Sequence, residues 1–217
     1  MTASPASPKY KIIFEDQWLI AADKSPGVLV IETPRKEKNT LTHLLNAYLD
    51  SNNISANAYP CHRIDRETSG LVLYAKGKSA QKKMMEEFKL RKVKKLYIAF
   101  IHGRLKDPAG TIESDLYNRN KRRLEPAITR YKVLEARNGF SILALEPLTG
   151  RTNQIRRHFA DLGHPLLGER VYAFARDYNL KFRRLALHAK GLEFTHPVTK
   201  EKVSLSAELP ADMAGVV

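Results

Sequence analysis

The stretch His62-Arg63-Ile64-Asp65-Arg66-Glu67-Thr68-Ser69-Gly70 sets one carboxylate between two arginines in a turn-rich loop. Nearby opposite charges favour the ionised form and lower an Asp pKa from its usual ~3.9. A carboxylate held this way can act as a nucleophile or as a base. The same residues also read as a plain surface loop, with Asp65 and Thr68 bonded to neighbouring backbone N–H groups. A second stretch, Leu148-Thr149-Gly150-Arg151-Thr152-Asn153-Gln154-Ile155-Arg156-Arg157-His158, runs from a glycine turn into an amphipathic helix. Arg156 borders its apolar stripe, where an ordinary arginine packs its stem and keeps its head wet. A third, Lys94-Lys95-Leu96-Tyr97-Ile98-Ala99, alternates as a strand, so Tyr97 and Ala99 share a face. Tyr97 is then either a sheet-face aromatic or a surface on which a nucleobase stacks, worth ~1–3 kcal/mol per base.

Short strands must position these residues. Tyr10–Phe14 and Trp18–Ala22 are apolar runs joined by Glu15-Asp16-Gln17, and Lys24-Ser25-Pro26-Gly27 is a turn. Thr40–Asp50 has helical spacing behind an N-capping Thr40, and Ser79 is placed to cap a helix reaching about Leu90. Leu71–Ala75 and Val93–Ile101 read as strands, and Asn138-Gly139 predicts a hairpin with a type I′ turn. Lys106–Glu125 reads as a loop-rich insertion over one edge of a cleft. Thr152–Leu162 is a helix striped by Ile155, His158, Phe159 and Leu162 and stopped at Gly163. Leu185–Thr195 and Val203–Leu205 return to strands. Strands outnumber helices and hairpins outnumber βαβ units, which predicts an α+β fold on a largely antiparallel mixed sheet with flanking helices and a central cleft.

Composition narrows the partners. Lys and Arg outnumber Asp and Glu by 37 to 23, a formal charge of +14. The excess favours a polyanion, because phosphate contacts release condensed counterions. The basic residues are spread over strands, loops and helices rather than gathered on one amphipathic helix, so nucleic acid is favoured over a membrane surface. No apolar run approaches the ~20 residues needed to span a bilayer. A single cysteine, Cys61, excludes an internal disulfide and suits a reducing cytoplasm.

Together the stretches resemble one family, the RluA-type pseudouridine synthases, which act on RNA. The family's H-R-L-D-x-x-T-S-G loop is matched by HRIDRETSG, with Ile64 in place of Leu. Its Lys-x-Tyr-x-Ala strand is matched at Lys95–Ala99, and its T-G-R-T-H-Q-I-R and G-H-P-L-L-G segments at Thr149–Arg156 and Gly163–Gly168. Order and spacing hold from about Tyr10 to Leu209.

The resemblance implies the pseudouridine synthase fold and a cofactor-free, metal-free isomerase. It breaks the uracil N1–C1′ bond, turns the base and joins C5 to C1′. Asp65 takes the place of the catalytic carboxylate, attacking C6 or C1′ or removing a C2′ proton. Arg156 takes that of the basic residue paired with it, and Tyr97 that of the tyrosine stacked on the target base. Arg63 corresponds to the residue that fills the gap left by a flipped nucleotide. Arg66, Arg151, Lys94, Lys95, Arg122 and Arg123 are further candidates for RNA contact. The substrate implied is structured tRNA or ribosomal RNA, with no membrane and no protein partner, for a cytoplasmic monomer.

Two departures stand out. Asn153 replaces the family's usual His, with an expected loss of hydrogen bonding near the site or a changed RNA preference, and Lys24-Ser25-Pro26-Gly27 reorders a Lys-Pro-(Ser/Ala)-Gly turn. Residues 1–9 are expected to be a disordered tail and residues 10–217 one catalytic domain, with no S4-type module ahead of it. Cys61, His62, His158, His164, His188 and His196 have no common zinc spacing. The rival from another class is a non-catalytic RNA-binding or RNA-folding protein on the same fold. A hydrolytic nuclease fits less well, lacking an acidic metal cluster.

Overall fold

A computed structural model describes residues 8–173 and 180–216. The first seven residues of the expected tail lie outside that range. Pro8 and Lys9 are already pinned, since Ser25 Oγ donates to the Pro8 carbonyl and the Ser25 N–H to that of Lys9.

The chain runs β1 (Tyr10–Glu15), β2 (Leu19–Lys24), α1 (Leu41–Ser51), β3 (Ala58–Pro60), β4 (Ser69–Lys76), α2 (Lys78–Lys89) and β5 (Lys94–His102). It continues through β6 (Ala109–Asn118), β7 (Arg123–Arg137), β8 (Phe140–Pro147), α3 (Gln154–Asp161), β9 (Leu187–Thr195), β10 (Lys202–Ser206) and α4 (Ala211–Ala214). The strands form one sheet in the order β1-β2-β4-β9-β5-β8-β7-β6, with β3 beside β4 and β10 beside β9. Among the described strands every pairing is antiparallel except β4 with β9. The predicted α+β class and mixed sheet are therefore observed.

The two-residue period of the strands explains the packing, because successive side chains point to opposite faces. From β2, Leu19 and Ala21 join Ala80 and Met84 of α2, whereas Ile20 and Ala22 join Leu41, Leu45 and Leu49 of α1. In the other half, Ala99 and Ile101 of β5 meet Ile155 and Phe159 of α3, while Ile98 and Phe100 meet Met213 of α4. Helices thus cover both faces.

Thr40 caps α1 as predicted, its side chain accepting from the His43 N–H. Four expectations are corrected. Helix α2 starts behind Gly77 with no side-chain cap, so Ser79 lies inside it. Gly139 has a positive φ and Asn138 does not, so the β7–β8 turn is not type I′. Leu162 is exposed rather than part of the α3 stripe. The supposed insertion Lys106–Glu125 contains β6, paired with β7 from Ala109↔Lys132 to Asn118↔Arg123. It is the edge strand, and of its less exposed positions Gly110, Ile112, Ser114, Leu116 and Asn118 only two are apolar side chains, so its sequence carries little of the apolar alternation that announces a strand.

The parallel pair β4·β9 is the narrow waist of the sheet, registered only at Ser69↔His188 and Gly70↔Ala189. Ser69 Oγ lies 2.9 Å from His188 Nδ1 inside the core. Gly70 holds φ +110°, and a Cβ there would sit 2.3 Å from the Ala189 carbonyl oxygen. Both backbone strain and backbone collision forbid a side chain. Gly70→Ala is expected to destabilise the protein by about 3 kcal/mol or more. Urea unfolding would measure this; a midpoint equal to wild type would show that the waist can widen.

Candidate active site

The loop before β4, the start of β5 and the segment from Pro147 to Arg156 enclose a cleft of about 820 Å³ beside this waist. Asp65, Thr68, Tyr97, Arg151, Asn153 and Arg156 all line it. Its size falls within the range of ordinary ligand sites.

The loop bearing Asp65 is fastened from several sides. His62 Nε2 accepts from the Leu73 N–H at 3.0 Å. The Thr68 N–H donates to the Asp65 carbonyl at 3.2 Å, and the Gly27 N–H to that of Arg66 at 2.8 Å. The buried Lys24 Nζ also donates to the Arg66 carbonyl, at 3.0 Å. Burial drives the Lys24 pKa down to about 7, against the pull of Glu67 and Asp65. The Lys-Ser-Pro-Gly turn thus does more than shape local backbone, because its lysine holds the loop from below.

Asp65 departs from expectation in its electrostatics. Burial raises its pKa, and Arg156, Arg63 and Lys24 offset that only in part. Arg156 also differs: it is buried, but its fork grips Glu169 rather than Asp65. Its Nε donates to Glu169 Oε2 at 2.8 Å and its Nη2 to Oε1 at 2.6 Å. Glu169 Oε1 further accepts the N–H groups of Arg170, Val171 and Tyr172 at 2.9, 2.8 and 3.3 Å. Burial pushes the Glu169 pKa up, but Arg156 and these N–H groups outweigh it and leave it below the usual range. Arg156 acts on Asp65 through its field, and its guanidinium lies 5.3 Å from the Tyr172 ring centroid.

Asn153 touches the carboxylate directly. Its amide is oriented by its partners. With nitrogen toward Asp65 it donates to Oδ2 at 2.8 Å and to Oδ1 at 3.1 Å, while its oxygen accepts from Tyr172 OH at 2.8 Å. The opposite sense would donate to Tyr172 OH at 2.8 Å and accept a 3.4 Å contact from Arg156 Nη1, but would set oxygen against the carboxylate. Tyr97 lines the same cleft, and burial, then Asp65, raise its pKa, so its hydroxyl stays neutral. Thr68 Oγ1 is buried there with no hydrogen-bond partner among the described residues.

The remaining candidates divide. Arg63 and Lys94 are exposed cleft residues, the latter 3.6 Å from Glu193. Lys95 lines the cleft and donates to the Thr149 carbonyl at 3.0 Å, with its pKa lowered by burial to about 8. Arg151 also lines it but is bound to Glu125 at 3.0 Å. Arg66 lies outside the lining and faces Glu37 at 3.6 Å. Arg122 and Arg123 sit at the β6–β7 hairpin tip, also outside the lining, and Arg123 joins Glu125 at 3.3 Å. Several histidines serve local hydrogen bonds instead of converging: His164 Nδ1 meets the His102 carbonyl, and His196 Nδ1 accepts from Val198 and Thr199 N–H. Sequence reasoning missed Glu169, Tyr172 and the role of Lys24. No local signal marked Glu169, since an arginine on the border of a buried stripe ordinarily keeps its head in water.

An enclosed carboxylate facing an aromatic ring, under a cationic rim, is the equipment of an enzyme that works on a base of RNA. The chain belongs to the RNA pseudouridylate synthase family, whose profile spans residues 18–161 and takes in every cleft residue named above. It is an isomerase that makes pseudouridine in RNA. The dual-specificity RNA pseudouridine synthase RluA of Pasteurella multocida is 33% identical over 215 residues, covering 94% of both chains. The uncharacterized RNA pseudouridine synthase YhcT of Bacillus subtilis is 33% identical over 97% of this chain and 73% of its own. Ribosomal large subunit pseudouridine synthase D of Blochmanniella floridana is 32% identical over 98% of this chain and 73% of its own. The structure of human RNA pseudouridylate synthase domain containing 4 shares the fold, with a TM-score of 0.79 at 23% identity over 94% of this chain and 90% of its own.

Proposed function

We propose that Asp65 is the carboxylate that starts the isomerisation, on uridines of tRNA or ribosomal RNA. Tyr97 stacks on the target uracil and Arg156 sets the field around the carboxylate. The reading rests chiefly on one observation: Asp65, Tyr97 and Arg156, far apart in sequence, line a single cleft. The two RNA classes are suggested by relatives described as dual-specificity and as acting on the large ribosomal subunit. Residues 10–217 work as one catalytic domain, a monomer in a reducing cytoplasm that suits the lone buried Cys61.

A nucleotide must leave its stack to reach Asp65, at a cost of a few kcal/mol that the enzyme repays by gripping the base and filling the gap, with Arg63 at the cleft mouth the candidate filler. Every route to the product exchanges the C5 hydrogen for a bond to C1′. Tritium release from RNA labelled at uracil C5 therefore reads the reaction whichever route is taken. Transcripts of tRNA and ribosomal RNA, assayed separately, should give release from at least one; release from neither would overturn the substrate assignment. A second expected result concerns binding. Arg63, Lys89, Arg91, Lys92, Lys94 and Lys95 line the cleft. If about four to six of them meet phosphates, RNA affinity should fall roughly 60- to 1,000-fold between 50 and 200 mM salt. Fluorescence anisotropy would show it, and a flat response would remove the rim from the RNA path.

A further inference from the structure

We propose that Asn153 is a positioning residue, which holds the Asp65 carboxylate ionised and aimed by donating its amide N–H groups to both carboxylate oxygens. The inference rests on Asp65 as the reacting group and adds the part that keeps it ready.

Three observations carry it. The first is the division of labour on α3. Arg156, the obvious partner for Asp65, spends both prongs of its fork on Glu169. The direct donor to the carboxylate is the neutral amide three residues earlier. The second is that the amide has only one sense in which it works. The ionised Asp65 oxygens can only accept, so they draw the amide nitrogen, and the Tyr172 hydroxyl, able to donate or accept, then donates to the Asn153 oxygen. Tyr172 is itself held, by its N–H to Glu169 and by the Arg156 guanidinium against its ring. The third is the backbone. Asn153 sits before α3 at φ 53°, ψ 28°, a left-handed conformation that asparagine accepts more readily than most residues. That conformation, followed at once by the helix, aims a short side chain into the cleft.

The charges facing Asp65 come from every surrounding element: Arg156 on α3, Arg63 in its own loop, Lys24 at the end of β2, and Glu169 opposing them. Tyr97 of β5 faces it as a neutral group. All of these act mainly through space, whereas hydrogen bonds to the ionised form lower a carboxylate pKa directly. An amide does not titrate, so its hold on Asp65 is the same on both sides of neutrality. A histidine in its place would make that hold depend on its own protonation. The departure from the family pattern at this position is thus a change in how the carboxylate is held, without a loss of hydrogen bonding.

The test is Asn153→Gly, which removes the amide and leaves the left-handed backbone unstrained. Carboxyl-carbon NMR of the full, RNA-free chain would follow the titration of Asp65, with Asp65→Asn identifying its resonance. The Asp65 midpoint should rise by about one pH unit in Asn153→Gly. It should rise further in Asn153→Asp, where a like charge replaces the donor, and by less in Tyr172→Phe, which removes the amide's other partner and loosens its hold. The acid limb of single-turnover tritium release should move the same way. An Asp65 midpoint unchanged in Asn153→Gly overturns the proposal. So does a fall in rate at every pH with the limb unmoved, the mark of a merely structural residue. Circular dichroism checks that each variant folds. The NMR titration needs neither substrate nor turnover, so it stands apart from the isomerase reading, which fails separately if Asp65→Asn remains active.

Discussion

Replacing Asp65 by asparagine is expected to lower tritium release by more than about 1,000-fold, the scale of losing a nucleophile or a general base. RNA affinity should change by less than about threefold, because the cationic rim supplies most of it. Stability should not fall at neutral pH. The reasoning follows from the raised pKa of Asp65, which burial causes. A carboxyl whose folded pKa lies above its unfolded value stabilises the fold fully below the unfolded pKa, and that contribution disappears as pH rises through the folded one. At neutral pH wild-type Asp65 is therefore ionised at some cost, which asparagine avoids while still offering an oxygen to the Asn153 amide. Melting curves of the two proteins should converge in acid and separate, with the variant equal or higher, toward neutrality. Parallel loss of binding and activity, with a melting point many degrees lower, would make Asp65 a structural residue.

Glu169→Gln should have the largest effect on stability among the charged residues. The pair is deeply buried, with the Glu169 side chain 1% exposed and that of Arg156 9%. Removing one charge strands the other, at about 3–5 kcal/mol. At about 2–4 °C per kcal/mol for a chain of this size, the melting point should drop by roughly 6–20 °C. The sign with pH is opposite to that of Asp65. Glu169 has a lowered pKa, so its contribution is present above the ordinary glutamate range and lost as pH falls through the folded value. The gap between wild type and variant should therefore close in acid. Activity should fall as well, since a freed Arg156 can swing onto Asp65 and cover it. Arg156→Met combined with Glu169→Gln should recover part of the stability, as expected for a coupled pair. A single variant that melts with the wild type would mean that Glu169 contributes nothing to holding Arg156.

The strands with alternating burial were legible in the sequence because period and burial agree in them. Helix α1 was legible from its cap and its apolar spacing. Strand β6 was not, because Gly110, Ser114 and Asn118 occupy three of its five inward positions and hide its alternation. The turn at Asn138 was misjudged because the dipeptide is compatible with more than one turn type. In the cleft, Asp65, Tyr97 and Arg156 were found through local motifs. Their electrostatics were not, because Arg63 and Arg66 flank Asp65 in sequence while burial dominates it in space. Glu169 and Tyr172 are placed by long-range packing against α3, and no local pattern of residues encodes that meeting.

The waist between β4 and β9 bears on when the enzyme comes into being during synthesis. It joins residues 69 and 70 to residues 188 and 189, so the wall behind Asp65 waits until β9 has been made. Closing a loop of that span costs entropy before any contact repays it, and such distant pairings form late. A nascent chain carrying Asp65, Tyr97 and Arg156 but not yet β9 has the chemical groups without the enclosure that desolvates them. Modification activity should thus switch on only once β9 has been made and has paired, which spares nearby RNA from a half-made site.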